Sequence, residues 1–175
     1  MEHIAFGTIL GENGKPIKTK EGGSVKLKDL LKEAVNRSEK IVREKNPGLD
    51  DETIREVAEA VGLGAIRYVD LSQNRTSDYL FSWEKMLSFE GNTAPYLLYA
   101  VARIHSIFRK AGIDPTDTFS SASTFSTDEE KALARKLLAF PSTIDQVLSD
   151  LRPHILCTYL FELDGVFRSV YNANK

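Results

Sequence analysis

The sequence predicts a mainly α-helical protein with a short β-containing segment at its N-terminal end. Apolar residues recur at helical spacing from about residue 27 onward. Helix-stopping and helix-capping residues divide this stretch into separate helices. An Asn-Gly turn signal lies between β-prone residues near the start. With 175 residues, 42% of them hydrophobic, the chain can form one core, or one domain with an appendage.

The first element is a predicted β-hairpin over residues 4–20. AFGTIL is β-prone, ENG supplies the turn, and KPIKTK forms the returning strand. Gly22 and Gly23 follow the hairpin and loosen the backbone before the first helix.

Two helices are predicted next, one over residues 24–45 and another that begins near the start of the stretch over residues 50–74. Asn46, Pro47 and Gly48 separate them, and acidic residues open the second helix as the helix dipole favours. Small residues run through the second helix and predict close packing against a neighbour: Ala58, Ala60, Gly62, Gly64 and Ala65.

The remaining sequence predicts an aromatic-rich extended connector over residues 75–89 and then four helices. Their expected ranges are 93–111, 127–139, 141–151 and 154–172. Thr127 and Glu130 have the spacing of a capping box at the start of the second of these four helices.

The charge is unevenly distributed along the chain, although its net value is only −2. Residues 1–45 carry ten basic and seven acidic side chains, and residues 93–110 carry three basic side chains and no acidic one. A polyanion would therefore be bound locally, since the field of the whole protein does not attract it.

Several classes of site are excluded by spacing. Gly14-Lys15 does not open a P-loop, because Ile9 stands where the first glycine belongs and Pro16 follows the lysine. The histidines lack metal-ligand spacing with Cys157, and we expect Cys157 to be a buried apolar residue, not a nucleophile. No apolar stretch approaches the roughly 20 residues that span a bilayer.

Two basic clusters remain as candidate sites. KPIKTKEGG, residues 15–23, is either a solvated loop or a mobile cationic loop that handles phosphate. In the predicted helix over residues 93–111, one stripe is the expected core face: Leu97, Val101, Ile104 and Phe108. A second stripe holds Tyr96, Tyr99, Arg103, Ile107 and Lys110. Its tyrosines and cations form either a base-stacking platform with phosphate contacts or a face packed under a neighbouring helix.

Three stretches resemble the arginyl-tRNA synthetase family of class I aminoacyl-tRNA synthetases. They are FGTILGENGKPIKTKEGGSVKLKDLL, AVGLGAIRYVDLSQNRTSDYLFSWEKMLSFEGNTAPYLLYAVARIHSIFRKAG and LRPHILCTYLFELDGVFRSVYN, in the family's order and spacing. The resemblance implies a helical bundle of the DALR anticodon-binding type behind a remnant of the catalytic domain.

The resemblance also implies roles for both basic clusters. Lys15, Lys18, Thr19 and Lys20 belong to a variant of the KMSKS loop, which stabilises the ATP phosphates as charge shifts in the transition state. Tyr96 and Tyr99 match a tyrosine pair near the anticodon loop, which favours base stacking there, with Arg103 and Lys110 as phosphate contacts. The family often has Gln between these tyrosines, where this chain has Leu98.

The implied domains are residues 1–25, the end of the catalytic domain; 26–90, a helical connector contacting the tRNA stem; and 91–175, an incomplete anticodon-binding domain. The HIGH motif is expected upstream, so we expect a fragment of an arginine–tRNA ligase that is inactive alone and has no bound cofactor. The full-length enzyme would use tRNA(Arg), L-arginine and ATP with Mg²⁺.

The alternative is a free-standing RNA-binding or protein-interaction module without ligase activity. In either case we expect a cytoplasmic protein without a membrane partner. We expect a monomer, with dimerisation through exposed apolar surface as the other possibility.

Overall fold

The computed structural model describes residues 3–16, 26–117 and 124–174, and the chain divides into two compact units, Met1–Tyr96 and Leu97–Lys175. Helices dominate both units, as the sequence predicts. In chain order the elements are β1 (Ile9–Leu10), α1 (Leu27–Lys45), α2 (Asp51–Ser72), β2 (Tyr79–Leu80), α3 (Trp83–Met86), α4 (Ala94–Ala111), α5 (Asp128–Leu138), α6 (Phe140–Asp150) and α7 (His154–Ala173).

The first unit is built on the packing of α1 against α2. Ala34 and Ser38 of α1 and Ala58 and Ala65 of α2 are almost fully buried. At Gly62 the two backbones approach so closely that a Cβ would lie 2.8 Å from the carbonyl carbon of Ala34. Ala58, Gly62 and Ala65 therefore provide the predicted close packing, whereas Ala60 is exposed.

The β-containing segment differs in part from the predicted hairpin. Gly14, at φ +70°, allows the chain to turn, and Leu10 and Pro16 form one antiparallel bridge. The extended partner of β1, however, is β2, about 70 residues later in the chain: Ile9 pairs with Tyr79 and Leu10 with Leu80, in parallel. Because local turn signals report only local pairing, they do not predict this contact. The returning segment from residue 17 onward lies outside the described residues.

The predicted extended connector is only partly extended. The Ser82 hydroxyl accepts a hydrogen bond from the Lys85 backbone N–H and caps the short helix α3. Met86 and Leu87 then turn inward onto Ala65 and Ala94, forming the hydrophobic core of this unit. Phe81 and Trp83 of the connector thus pack on the core, and the expectation of a continuous extended segment is wrong for Trp83–Met86.

The second unit packs α5 and α6 against α7. The predicted capping box is present, because the Thr127 hydroxyl accepts from the Glu130 N–H and the Glu130 carboxylate accepts from the Thr127 N–H. The buried Tyr159 of α7 donates to the Lys136 carbonyl oxygen at 2.9 Å, which ties α5 to α7. Cys157 is buried, as predicted.

The expected core stripe of α4 is confirmed except at Val101. Leu97, Ile104 and Phe108 are partly buried, but Val101 is 49% exposed, and the most buried position of this part of the helix is Ala100. The buried face is therefore rotated towards Ala100, since Val101 lies at the far edge of the predicted stripe. Within the described ranges, no helix is long and apolar enough to cross a membrane.

Candidate nucleic-acid interface

The start of α4 places Tyr96 in the first turn of the helix. The Thr93 hydroxyl accepts a hydrogen bond from the Tyr96 backbone N–H and donates to the Ser88 carbonyl oxygen at 2.7 Å. Pro95, whose missing N–H costs nothing in a first helical turn, is fully buried beside Tyr96. The entry into α4 is therefore fixed by local chemistry. Because α4 is one continuous helix, Tyr99 follows Tyr96 on the same side of it.

Tyr99 and Arg103 form the most organised part of the predicted stripe. The Arg103 Nη2 donates to the Tyr99 hydroxyl at 2.9 Å, and the guanidinium carbon lies 4.8 Å from the centre of the Tyr99 ring. Tyr99 is nevertheless 50% exposed. The pair thus presents an aromatic ring beside a cation at the surface, which suits contact with a base and its phosphate.

Tyr171 of α7 joins this pair, and the sequence did not single it out. The Arg103 guanidinium carbon lies 4.8 Å from the centre of the Tyr171 ring, the same distance as from the Tyr99 ring. Tyr171 lies in VFRSVYN, the end of one of the three stretches that resemble the family. This stretch is the signal that could have indicated Tyr171. Its helical spacing alone does not separate a functional tyrosine from one that fills the core.

An ion pair between a buried carboxylate and a partly exposed arginine lies on the same side of α7 as Tyr171. The Asp164 carboxylate is buried and accepts a hydrogen bond from Arg168 Nε at 2.7 Å. Residues 164, 168 and 171 are spaced four and three apart, so they follow one face of the helix. The ion pair and the tyrosine that contacts Arg103 therefore share one face of α7.

The other predicted residues of α4 lie further along the helix. Ile107 is 40% exposed, and Lys110 is exposed in the last turn beside Arg109. Among the described residues Lys110 forms no ion pair. Its position near the carboxyl end of the helix favours a cation there. The structure thus brings Tyr99 and Arg103 into contact and leaves Lys110 about two turns away.

Only the first two residues of the predicted phosphate loop, Lys15 and Pro16, are among the described residues. Lys15 is exposed, its carbonyl oxygen accepts from the Gly11 N–H at 2.9 Å, and its own N–H donates to the Asn13 side chain. These contacts close the turn and leave the Lys15 side chain exposed at its end. Lys18, Thr19 and Lys20 lie outside the described residues.

Two family profiles match the chain in succession. The profile described as tRNA synthetases class I (R), catalytic domain, matches residues 1–83, and the profile of the DALR anticodon binding domain matches residues 97–175. The second match contains Tyr99, Arg103 and Tyr171.

The chain belongs to the arginyl-tRNA synthetase family.

Curated relatives from this family agree over nearly the whole chain. The arginine–tRNA ligase of Cellvibrio japonicus is 54% identical over 173 residues, which is 99% of this chain and 30% of that protein. The arginine–tRNA ligase of Edwardsiella ictaluri is 50% identical over the same shares. The chain thus spans about a third of the length of the arginyl-tRNA synthetases it matches.

Solved structures of arginyl-tRNA synthetases share the fold. The Thermus thermophilus enzyme aligns over 97% of this chain and 27% of its own, with a TM-score of 0.81 and 36% identity. The Plasmodium falciparum enzyme aligns over 98% of this chain and 28% of its own, with a TM-score of 0.80 and 31% identity. The predicted family and its mainly helical, DALR-containing fold are confirmed.

Proposed function

We propose that this chain is the tRNA-binding and ATP-loop part of an arginine–tRNA ligase, the enzyme that attaches L-arginine to tRNA(Arg) at the expense of ATP. The observation that carries the proposal is the half-exposed Tyr99 ring, held by Arg103 within the part of the chain that matches the DALR profile. A free-standing module without ligase activity has no comparable support.

The half-exposed Tyr99 ring is proposed to contact the anticodon side of the tRNA. An aromatic ring that is half exposed and already oriented can stack on an unpaired base, which contributes roughly 1–3 kcal/mol per base. Tyr96 is also proposed to stack on a base of the tRNA. Lys110, exposed and further along the helix, would contact a backbone phosphate.

The basic loop is proposed to act on ATP. Lys15, Lys18, Thr19 and Lys20 would stabilise the phosphates while the aminoacyl-adenylate forms, because cations near developing negative charge lower the barrier. Magnesium would accompany ATP. Within the described ranges there is no group of three or more His, Cys, Asp or Glu side chains that could hold a metal ion, so no magnesium ligand is assigned.

The proposed domains are residues 1–25 with the loop, 26–90 as the connector towards the tRNA stem, and 91–175 for the anticodon side. We propose that the protein acts in the cytoplasm as a monomer.

Binding of tRNA by the purified chain tests the anticodon contact. Filter binding would compare a transcript of tRNA(Arg) with one in which the anticodon bases are replaced. Tyr99→Leu is expected to weaken binding of tRNA(Arg) by about 1–3 kcal/mol. Leu98→Ala is the matched control, since Leu98 is 41% exposed on a different side of α4. Equal affinity for the two transcripts, or equal effects of the two variants, would contradict the anticodon contact.

A chimaera tests the ligase assignment separately. The corresponding segment of the Cellvibrio japonicus ligase, which is 54% identical, is replaced by this chain. The chimaera is expected to charge tRNA with arginine, and Lys18→Ala and Lys20→Ala within it are expected to slow adenylate formation, measured as arginine-dependent pyrophosphate exchange in the presence of tRNA. A folded chimaera that binds tRNA but shows no exchange would overturn the role of the loop.

A further inference from the structure

Two tyrosines from different helices hold one arginine. The Arg103 guanidinium lies at 4.8 Å from both ring centres, Tyr99 on its own helix α4 and Tyr171 on α7. Arg103 also donates to the Tyr99 hydroxyl. A guanidinium is planar and weakly hydrated, so it stacks on aromatic faces in a defined orientation where a lysine ammonium would not.

These contacts restrict the half-buried side chain of Arg103 and the half-exposed side chain of Tyr99. An arginine loses much rotamer freedom when it is held, and this loss requires compensating contacts. Tyr99 alone would be a single contact for Arg103 on an exposed helix surface. The second ring, Tyr171, comes from a separate helix and therefore also fixes Arg103 relative to α7.

The position of Tyr171 is itself supported along α7. Its ring lies 6.2 Å from the Phe167 ring, with an interplanar angle of 37°. One turn earlier, Arg168 is bonded to the buried Asp164 carboxylate on the same helix face. Tyr171 thus projects from a helix face whose side chains are already ordered.

We infer that Tyr171 is a positioning residue for the tRNA-binding surface: it holds the Arg103 guanidinium against Tyr99, and Arg103 in turn fixes the hydroxyl and ring of Tyr99 for a stacked base. The inference rests on the proposed function. In this inference Arg103 orients the Tyr99 side chain, whereas its charge alone would suggest a contact with a phosphate. Preorganisation of the ring lowers the entropy lost when a base binds.

Four variants separate positioning from direct contact. Tyr171→Leu removes the aromatic face, Tyr171→Phe keeps it, Arg103→Met removes the cation at similar length, and the fourth variant combines Tyr171→Leu with Arg103→Met. We expect Tyr171→Leu to weaken binding of a tRNA(Arg) transcript about 5- to 10-fold and Tyr171→Phe to stay within about 2-fold. The double variant should bind like Arg103→Met alone, because Tyr171 acts through Arg103.

A second readout does not depend on RNA. The rotation of the Arg103 guanidinium about its Nε–Cζ bond can be followed by NMR of the arginine side chains in the free protein. It should be slow in the wild type and in Tyr171→Phe, and fast in Tyr171→Leu. The slope of binding against salt should be the same in Tyr171→Leu as in the wild type, since that substitution removes no charge.

Three outcomes would overturn the inference. Additive effects of Tyr171→Leu and Arg103→Met would show that Tyr171 contacts the RNA itself. Unchanged Arg103 rotation in Tyr171→Leu would show that Tyr171 does not hold it. Wild-type affinity in Tyr171→Leu, with the wild type binding well, would reject the inference alone, whereas failure of the wild type to bind tRNA would reject the proposed function and this inference together.

Discussion

Gly62 of α2 lies against the backbone of Ala34 of α1, so that a Cβ on Gly62 would sit 2.8 Å from the Ala34 carbonyl carbon and 2.8 Å from the Val35 nitrogen. These neighbours are backbone atoms, which cannot rotate away as a flexible side chain would. The contact therefore sets how closely the two helices of the first unit can pack.

Gly62→Ala is predicted to destabilise the first unit by about 1–3 kcal/mol, because overpacking outweighs the roughly 1 kcal/mol that alanine gains over glycine in a helix. Gly165→Ala is the control. Gly165 lies inside α7, and a Cβ added there would have nothing within 4 Å, so alanine should stabilise by about 0.5–1 kcal/mol. Urea unfolding gives the change in the free energy of unfolding for both variants. Stabilisation by Gly62→Ala would contradict the close contact.

Lys110→Gln is predicted to reduce the salt dependence of tRNA binding. Loss of one phosphate contact should lower the slope of log affinity against log salt by about 0.7–0.9. Lys131→Gln removes the same charge from α5, where Lys131 pairs with Asp128 at 3.1 Å. The slope should be unchanged in that control. Equal slopes for the wild type and Lys110→Gln would place Lys110 away from the RNA backbone.

Arg168→Met is predicted to destabilise the second unit. It leaves the buried Asp164 carboxylate without its ion-pair partner, and the Asp164 Oδ1 already accepts no hydrogen bond among the described residues. Removing the partner of a buried charge costs on the order of 3–5 kcal/mol. The double variant Asp164→Asn with Arg168→Met should recover part of this loss in thermal unfolding. A double variant less stable than Arg168→Met would argue against an uncompensated charge.

Alkaline unfolding is predicted to depend on Tyr79. Burial raises the pKa of Tyr79 from 10.0 to about 12, with further contributions from the charge of Asp70 and its hydrogen bond at 3.4 Å. The folded state therefore favours the neutral phenol. This contribution to stability is fully present below pH 10 and is lost as the pH rises from 10 to about 12.

Comparison with Tyr79→Phe isolates this effect from the other tyrosines. The variant cannot ionise at this position, so its stability should fall less steeply than that of the wild type between pH 10 and about 12. Chemical denaturation at several pH values in this range gives the difference in the free energy of unfolding between the wild type and Tyr79→Phe. Parallel curves for the two proteins would show that the Tyr79 pKa is unchanged by folding.

Apart from the short α3, the described helices could be predicted, because their signals are local. Asn46, Pro47 and Gly48 end α1 as expected, and Thr127 with Glu130 forms the capping box that their spacing indicates. The resemblance to arginyl-tRNA synthetases was carried by contiguous motifs and is confirmed by relatives across nearly the whole chain. The roles of the individual site residues stay predictions.

The sequence by itself determined the helical periodicity, the capping box at Thr127, the family, and the stripe of α4 that carries Tyr99 and Arg103. Only the tertiary structure decided that β1 pairs with β2, that Gly62 meets the Ala34 backbone, and that Tyr171 closes on Arg103 from α7. The physical reason is the sequence separation of the residues that interact. Capping and helix periodicity depend on residues up to four positions apart, whereas Arg103 and Tyr171 are far apart in sequence and meet only once α4 and α7 have folded.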